Sequence, residues 1–284
     1  MDPGLATLAG VVVGPGRPVA VMAAINVSPE SFHAGSVRRD PAGLAATAAA
    51  MARAGAAIID VGARSTAPYL ATEITEEEEA ERLARAIAVV AREVAVPVSA
   101  DTTRPAVARA ALDAGATIVN DVSGLRDPAM GPLVLERRAG LVLVASPAGR
   151  DAGRRDPVDG VAALLAEALA RARGAGVPDE RIVLDPGIGF FRSEAMPWDE
   201  WDVRVLAGLG RLLALGRPLC VGVSRKSFLG AITGREAPAG RLAGSLAAAA
   251  AAVLLGASVI RAHDVPETVD AVRVAERLRR AGEA

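Results

Sequence analysis

The scarcest polar residue types of this chain stand at the ends of apolar runs. The sequence contains two asparagines, Asn26 and Asn120, and each of them ends such a run. One of its two histidines, His263, and its single lysine, Lys226, also follow apolar runs. Every other member of the 32 basic side chains is arginine, so the position of Lys226 favours a compact ammonium over a planar guanidinium.

Aspartates also lie within apolar runs or at their ends. Asp101 ends the run "PVSAD", Asp185 follows "RIVL" and precedes a proline and a glycine, and Asp60 lies inside "AAIIDVGA". A carboxylate at the end of a buried strand must be hydrogen-bonded or face a cavity. Asp121 precedes "VSGLRD", where capping of the following turn is the favoured interpretation.

This set of side chains is suited to hydrogen-bonded recognition of a fused heterocycle. Carboxylates accept from ring N–H groups, and a lysine donates to a carbonyl oxygen and a ring nitrogen. Beside them, Arg261 and His263 with Asn26 could hold an anion, and "SRKSFLG" could begin a helix whose free N–H groups face a second anionic group.

Two other chemistries are not indicated. Acyl transfer would need a Ser or Cys nucleophile paired with a histidine, and the sequence does not suggest such a pair. The two histidines are far apart and the single cysteine, Cys220, lies in the apolar run "PLCVGV", so they make a poor zinc site. Cys220 is interpreted as a small buried core residue.

These residues need elements that bring distant strand ends together. The chain repeats a unit made of a short apolar run, a polar or glycine-containing loop, and a helix rich in Ala, Leu and Arg. The runs predicted as strands are 19–26, 56–63, 97–101, 117–121, 140–146, 181–187, 218–224 and 257–263. Eight such units predict an α/β fold, in which a parallel sheet closes into a (β/α)8 TIM barrel.

The barrel explains why Asp101 ends a buried run, because barrel sites form at the carboxyl ends of the strands. A doubly wound open sheet is the structural alternative, although no GxGxxG follows the first run. The opening "LATLAGVVVGPGRPVAV" predicts an N-terminal β-hairpin around Gly14-Pro15-Gly16 that closes the bottom of the barrel. Thr75 with Glu78 forms a capping-box pattern, and the acidic run Glu76–Glu79 is interpreted as a solvated helix start.

The aromatic residues also lie after predicted strands. All seven follow the first, second, sixth or seventh predicted strand, and none lies in a predicted helix-packing core. This clustering predicts a flat ligand at the loop end of the barrel. His33, in the first loop, is interpreted as a solvated or lid residue.

Composition sets outer bounds on function. Residues 1–284 are expected to form one barrel domain, and 51% hydrophobic residues suffice for a large core. The 32 basic and 33 acidic side chains nearly balance, which argues against nucleic-acid binding through bulk charge. One cysteine suits a reducing compartment, so a cytoplasmic protein is expected. The uncharged segment 242–260 is interpreted as a buried helix leading into a strand, so no membrane partner is expected.

Several motifs together resemble a known family. "INVSPESF", "STAP" followed by "EEEE", "SADT", "IVNDVSGLRDPAM", "LDPGIGF", "GVSRKSFLGAITGR" and "VIRAHDV" resemble, in order and across almost the whole chain, the dihydropteroate synthases of folate biosynthesis. The resemblance implies a Mg2+-dependent transferase on a homodimeric TIM barrel. Its reaction would condense 6-hydroxymethyl-7,8-dihydropterin diphosphate with 4-aminobenzoate and release diphosphate. In this family the C–O bond breaks first, so the site's task would be electrostatic.

The resemblance also implies residue roles. Asp101, Asn120, Asp185 and Lys226 would bind the pterin. Asn26, Arg261 and His263 would bind the diphosphate, with Asn26 near the Mg2+. The arylamine pocket would be formed by the residues Thr66, Pro68, Phe190, Lys226 and Ser227.

The chain departs from the family in its loops. The second loop reads Ser65-Thr66-Ala67-Pro68, where the family usually has Ser-Thr-Arg-Pro, and Arg64 precedes it. The first loop, the end of the fifth strand and the residues after "GIGF" also differ. These departures concern the second substrate, so the arylamine could be a related compound. Two alternatives stay open, a non-catalytic pterin-binding paralogue and a pterin-dependent methyltransferase with a corrinoid partner.

Overall fold

The computed structural model describes residues 4–28, 40–64, 74–147, 156–191 and 196–282. After two short N-terminal strands, β1 (Ala6–Leu8) and β2 (Val11–Val13), eight parallel strands in this part of the chain form one sheet. They are β3 (Ala20–Asn26), β4 (Ile58–Gly62), β5 (Val98–Asp101), β6 (Ile118–Asp121), β7 (Gly140–Val144), β8 (Ile182–Asp185), β9 (Cys220–Gly222) and β10 (Val259–Ala262). Their order in the sheet is β8-β7-β6-β5-β4-β3-β10-β9. A parallel bridge between Leu184 of β8 and Leu219, the residue before β9, joins the two edges of the sheet, so it closes into a barrel. The predicted TIM barrel is confirmed, and the open doubly wound sheet is wrong.

Helices separate the strands and cover the outside of the barrel. In the described residues they are α1 (Pro41–Arg53), α2 (Glu76–Glu93), α3 (Pro105–Asp113), α4 (Met130–Glu136), α5 (Pro157–Gly174), α6 (Trp198–Ala207), α7 (Leu209–Leu212), α8 (Ser227–Thr233), α9 (Leu242–Leu254) and α10 (Val265–Gly282). Side chains cap several helix starts: Asp40 accepts from the Gly43 N–H, and Thr75 accepts from the Glu78 N–H as the capping pattern predicts.

An N-terminal hairpin closes the bottom of the barrel. Its strands are β1 (Ala6–Leu8) and β2 (Val11–Val13), which pair antiparallel. The hairpin is confirmed, but its predicted turn at Gly14–Gly16 is wrong. The chain turns at Ala9 and Gly10, which have φ angles of 49° and 95°, because positive φ at both central residues gives the twist that a two-residue hairpin turn needs.

The barrel interior has an apolar lower layer. Ala6, Leu8 and Val13 of the hairpin are fully buried and pack against this layer. The strands contribute to it Ala20, Met22, Ile58, Ile118, Val142, Val183, Cys220 and Val259. Cys220 is a free, buried thiol, as expected.

A second apolar core lies between the strands and the helices, and it includes aromatic residues. Phe191 and Trp201 stack with ring centroids 5.2 Å apart, and both are 2% exposed. Phe228 is also buried in this core. The expectation that no aromatic residue packs in a helix core is therefore wrong. Trp201 packs there because it lies on the buried face of α6.

The uncharged segment 242–260 folds as α9 followed by β10, as expected. No single helix among the described residues is long and apolar enough to cross a membrane. The bent pair Ser227–Thr233 and Pro238–Leu254, with 77° between its halves, passes that test by length and composition.

The hairpin residue Leu8 gives a test of the barrel's bottom layer. Leu8→Ala removes a side chain that is fully buried against Gly140 and Ile118, and it should lower the free energy of unfolding by about 3 kcal/mol. Ile232→Ala is the matched control because Ile232 is 61% exposed, and its effect should stay below about 0.5 kcal/mol. Urea unfolding of both variants measures the difference, and equal effects would contradict the proposed packing.

Candidate functional site

Polar side chains form a layer directly above the apolar layer of the barrel. Side chains alternate between the two faces of a strand, so the residue two positions after an inward apolar residue also points inward. Ile58, Ile118, Val183 and Val259 all line the lower layer. The residues two positions later are Asp60, Asn120, Asp185 and Arg261. The period of the strand therefore places four polar groups at one level of the barrel.

Arg261 joins two acids at this level. Its Nε donates to Asp60 Oδ2 at 2.7 Å, and its Nη2 donates to Asp101 Oδ2 at 3.0 Å. The Nδ2 group of Asn120 donates to the same Asp60 oxygen at 3.2 Å. Asp60, Asp101 and Asn120 are buried. The cluster therefore connects β4, β5, β6 and β10 across the barrel mouth.

Three acceptor atoms of this cluster have no hydrogen-bond donor within the described residues. They are Asp60 Oδ1, Asp101 Oδ1 and Asn120 Oδ1. An unpaired buried acceptor costs free energy, so such atoms are commonly found where a ligand supplies the donors. The cluster can therefore accept hydrogen bonds from a ligand that carries several N–H groups.

Within the cluster, the pKa values of Asp101 and Arg261 are both raised. Burial, and then the Asp60 carboxylate, raises the pKa of Asp101 to about 7, although Arg261 and Arg64 act in the opposite direction. Burial lowers the pKa of Arg261, but Asp60 and Asp101 raise it by more, so it stays above its usual value. Arg261 therefore remains a cation while Asp101 can exchange a proton near neutral pH.

Asp185 and Lys226 form the other side of the mouth. Asp185 Oδ1 accepts from the Gly187 N–H at 2.8 Å, and the Cys220 thiol also hydrogen-bonds to this carboxyl. Lys226 Nζ lies 4.7 Å from the centre of the Phe190 ring, a cation–π distance. Burial raises the pKa of Asp185 and lowers that of Lys226, and each residue's charge opposes the shift of the other.

Gly189 lets Lys226 occupy this position. A Cβ atom on Gly189 would lie 3.1 Å from Lys226 Nζ and even closer to its Cδ. The residue also has a φ of 88°, which disfavours any side chain. Its N–H donates to Asp202 at 2.8 Å, which fixes the loop against α6.

The remaining predicted residues that the structure describes lie around the same mouth. Asn26 and Asp101 both flank Gly62, since a Cβ there would lie 3.6 Å from Asn26 Oδ1 and 3.5 Å from Asp101 Cβ. His263 Nδ1 lies 3.1 Å from Ser224 Oγ, which also accepts from the His263 N–H. Ser227 begins α8 directly after Lys226. The predicted residues Thr66 and Pro68 lie outside the described residues, as does His33.

Arg261 makes contacts that the sequence does not predict. The sequence predicts that Arg261 binds an anion together with His263 and Asn26, but two of its N–H groups donate to the acids of the cluster. Asp60 was not among the predicted site residues at all. The signal that could have found it is its spacing of two from Ile58, which makes it an inward residue of β4.

The prediction that Glu76–Glu79 form a solvated helix start is wrong for Glu79. Glu79 is fully buried. Its carboxylate accepts from Thr102 at 2.9 Å, from Arg64 at 3.1 Å and from Arg104 at 2.9 Å. Glu79 therefore ties α2 to the residues that follow β4 and β5, including the threonine next to Asp101.

Asp121 is a structural residue, as interpreted from the sequence. Its two carboxylate oxygens accept from Ser123 and from the Leu125 N–H, so they cap the turn after β6. Burial raises its pKa, and these hydrogen bonds oppose the shift.

Comparisons with known proteins agree with this geometry. A model of the family described as pterin binding enzyme matches residues 22–263. The dihydropteroate synthase of Escherichia coli strain K12 is 38% identical over 263 residues, which are 90% of each chain. A probable bifunctional folylpolyglutamate synthase/dihydropteroate synthase of Haloferax volcanii is 41% identical over 261 residues, or 90% of this chain and 30% of that protein.

A solved structure gives the same result for the fold. The dihydropteroate synthase of Xanthomonas albilineans, in a structure with 4-aminobenzoic acid, superposes with a TM-score of 0.86 at 37% sequence identity. The match covers 98% of this chain and 99% of that one.

The buried Glu79 should contribute to stability. Glu79→Gln removes the charge of a buried carboxylate that accepts hydrogen bonds from two arginines and a threonine, so it should lower the free energy of unfolding. Both arginines are partly exposed, which limits the expected loss to about 2 kcal/mol. Glu78→Gln is the control on the same helix: its exposed pair with Arg82 should contribute less than about 0.5 kcal/mol. Chemical denaturation of both variants makes the comparison, and a Glu79 effect no larger than the control would refute the assignment.

The raised pKa of Asp101 predicts a pH dependence of stability. Ionisation of Asp101 is less favourable in the folded than in the unfolded protein, so its contribution to stability is full below pH 3.8 and falls as the pH rises to about 7. Asp101→Asn imitates the protonated form. The stability of the variant relative to the parent should therefore increase over this pH range.

Free energies of unfolding at several pH values measure the trend. Asp270→Asn, at an exposed position paired only loosely with Arg273, is the control and should show no such trend. A pH-independent difference for Asp101→Asn would contradict the raised pKa.

Proposed function

Because the chain belongs to the pterin binding enzyme family, we propose that the polar layer of its barrel binds the ring of a pterin diphosphate. The chain is an enzyme that transfers this pterin group. Its reaction is the synthesis of dihydropteroate from 6-hydroxymethyl-7,8-dihydropterin diphosphate and 4-aminobenzoate or a related arylamine, with release of diphosphate. The observation that carries the assignment of the site is the set of unpaired acceptors on Asp60, Asp101 and Asn120 opposite Asp185 and Lys226.

The ring would be bound through its polar edges. A dihydropterin presents an amino group and ring N–H donors on one edge and a carbonyl oxygen with a ring nitrogen on another. Asp101, Asn120 and Asp185 supply the acceptors, and Lys226 supplies a donor. Because burial opposes the charge of both Asp185 and Lys226, a polar ligand between them would replace the water that they lack.

The diphosphate would lie on the side of the mouth formed by Asn26, Arg261 and His263. Two N–H groups of Arg261 are used by Asp60 and Asp101, and a guanidinium has five, so further donors remain for an anion. The arylamine would be placed over Phe190 and near Lys226 and Ser227, with Thr66 and Pro68 completing its pocket. Phe190 supports this placement because its ring already lies against Lys226.

The reaction requires charge stabilisation and positioning. The bond between the pterin methylene carbon and the diphosphate oxygen breaks, and its electron pair leaves with the diphosphate. The resulting cation is delocalised over the pterin ring, which the carboxylates of Asp101 and Asp185 stabilise. The lone pair of the arylamine nitrogen then forms the new C–N bond, and the nitrogen loses a proton. The protein contributes by holding the amine close to the carbon, and a neutral amine needs no protein base.

Mg2+ would bind at this site together with the diphosphate. No group of three or more His, Cys, Asp or Glu within the described residues could hold a metal ion. Mg2+ often takes one or two protein oxygens together with substrate phosphate oxygens and waters. The neutral Asn26 carboxamide, beside Asp101 at Gly62, would offer such an oxygen. When bound, Mg2+ would offset the negative charge that develops on the leaving diphosphate.

Calorimetry tests the metal separately from turnover. The affinity of the protein for inorganic diphosphate should increase when Mg2+ is added, and Asn26→Ala should remove most of that increase. An increase that is the same in the parent and the variant would exclude Asn26 as a ligand.

We also propose a cytoplasmic homodimer. Large apolar side chains are exposed on neighbouring helices: Leu254 is 47% exposed and Leu278 is 58% exposed. The two helices are in contact beside these residues, since Arg279 donates to the Val253 carbonyl. Light scattering after gel filtration measures the mass, and a monomer at micromolar concentration would refute the dimer.

Activity is tested with the purified protein. Supplied with the pterin diphosphate, 4-aminobenzoate and Mg2+, it should release diphosphate and form dihydropteroate, and its gene should rescue a strain that lacks this activity. Tight binding of the pterin diphosphate without product, with any arylamine, would identify a non-catalytic paralogue instead. Methyl transfer from methyltetrahydrofolate to cobalamin would identify the methyltransferase alternative.

Lys226 gives the sharpest test of the ring site. Lys226→Ala should weaken the binding of the pterin diphosphate at least tenfold in calorimetry, because a charged donor to the ring is lost. Lys226→Arg keeps the charge, but the larger head group should not fit against Gly189, so its affinity should also fall. Near-normal affinity of the alanine variant would contradict the proposed ring contacts.

A further inference from the structure

The loops after β9 and β10 are joined by an ion pair that does not belong to the ligand-binding set. Arg225 lies between Ser224 and Lys226 on the first loop, and Asp264 directly follows His263 on the second. Arg225 Nε donates to Asp264 Oδ2 at 2.8 Å, and Arg225 Nη2 donates to Asp264 Oδ1 at 2.6 Å. The two side chains are 9% and 18% exposed. The pair is therefore bidentate and largely shielded from solvent.

The rest of the Arg225 guanidinium is also used. Its Nη1 donates to the Pro238 and Ala239 carbonyl oxygens at 2.9 and 2.8 Å. These carbonyls belong to the turn that leads into α9. A lysine could not make this set of contacts, since it lacks the planar fork of donors.

The Arg225 backbone is held on both sides. Its N–H donates to Ser245 Oγ at 2.8 Å, and its carbonyl accepts from Arg241 Nη1 at 3.0 Å. Ser245 in turn donates to the Arg241 carbonyl at 2.8 Å. Arg225 has a φ of 55°, which is unfavourable for a residue with a side chain and persists only when the surroundings enforce it.

We propose that Arg225 and Asp264 are positioning residues that set the separation between Lys226 and His263. This inference rests on the proposed function, in which Lys226 contacts the pterin ring and His263 contacts the diphosphate of the same substrate molecule. The geometry supports it, because each member of the pair is the chain neighbour of one of these ligand-binding residues. Ser224, the other neighbour of Arg225, contacts His263 directly, so the two loops are joined at two adjacent positions.

The functional reason is the alignment of the bond that breaks. The ring and the diphosphate are joined by that bond, so two sites at the correct separation bind both ends at once and favour its cleavage. A displacement of one site by about 1 Å can lower the rate by a factor of roughly 100. Each end would still bind to its own site when the separation is wrong.

The experiment measures this coupling between the two ends. Asp264→Asn keeps the shape of the side chain and its suitability before a helix N-terminus, but it removes the charge. Calorimetry gives the affinities for 6-hydroxymethyl-7,8-dihydropterin alone and for its diphosphate. In the variant, the affinity for the pterin alone should change less than about twofold, whereas the gain in affinity from the diphosphate should fall about tenfold. The kcat should fall by a similar factor, with little change in the KM of the arylamine.

Matched variants separate positioning from general stability. Arg173 and Asp179 form a bidentate pair with the same distances, 2.8 and 2.6 Å, on the exposed surface. Asp179→Asn should leave both affinities and kcat unchanged. Arg225→Lys removes the same ion pair and also the contacts with the Pro238 and Ala239 carbonyls, so its effect should be at least that of Asp264→Asn. The double variant should add little to Arg225→Lys, because the ion pair is already lost. If Asp264→Asn does not fold, Arg225→Lys takes its place in the same measurements.

The outcomes are distinct. If the parent protein does not bind the pterin diphosphate, the proposed function fails. If the parent binds it and forms product, but the gain in affinity from the diphosphate and kcat are the same in Asp264→Asn and Asp179→Asn, the positioning role alone is refuted.

Discussion

The site depends on one guanidinium that pairs with two buried carboxylates. Arg261 bridges Asp60 and Asp101 near the centre of the barrel mouth, where an isolated charge would be strongly disfavoured. The three groups together carry one negative charge when all are ionised, and Asn120 adds a neutral donor and acceptor. This arrangement leaves acceptor atoms facing inward while the positive charge of Arg261 keeps the acids close together. A ligand with N–H donors, and with a positive charge that grows as its bond breaks, complements that balance.

A polar layer above an apolar layer inside the barrel makes such a cluster possible. The hairpin and the inward apolar residues fill the lower half, so the polar layer rests on a packed floor and opens only toward the strand ends. The outer helices then anchor the loops. Glu79 holds α2 to the residues after β4 and β5, and Arg225 with Asp264 joins the loops after β9 and β10. Side chains that do not line the mouth therefore join the segments that carry its lining.

Much of this could be predicted from the sequence. The apolar runs predicted every barrel strand to within a few residues at each end. Asp101, Asn120 and Asp185, at or next to the ends of their strands, marked the candidate site because barrel sites form there. Asp60 was missed as a site residue because its run continues past it, and only the period-two spacing from Ile58 reveals that it faces inward. Glu79 was misread as part of an acidic surface run, although it precedes Leu83, Ala86, Ile87 and Val90 on the buried face of α2. The hairpin turn was misplaced because both candidate sites contain glycine, and only the strand register distinguishes them.

The positions of Arg225 and Arg261 differ physically from the position of the single lysine. Arg225 and Arg261 each use a planar fork to hold carboxylates in fixed orientation, which an ammonium cannot do. Lys226 occupies the opposite kind of position, a narrow space bounded by the bare backbone of Gly189 and the ring of Phe190. A guanidinium is broader and holds its donors in a fixed plane, so it would fit this space less well. The one lysine of the chain therefore lies where a compact, rotatable donor fits, and its rarity in the sequence pointed to this side of the candidate site.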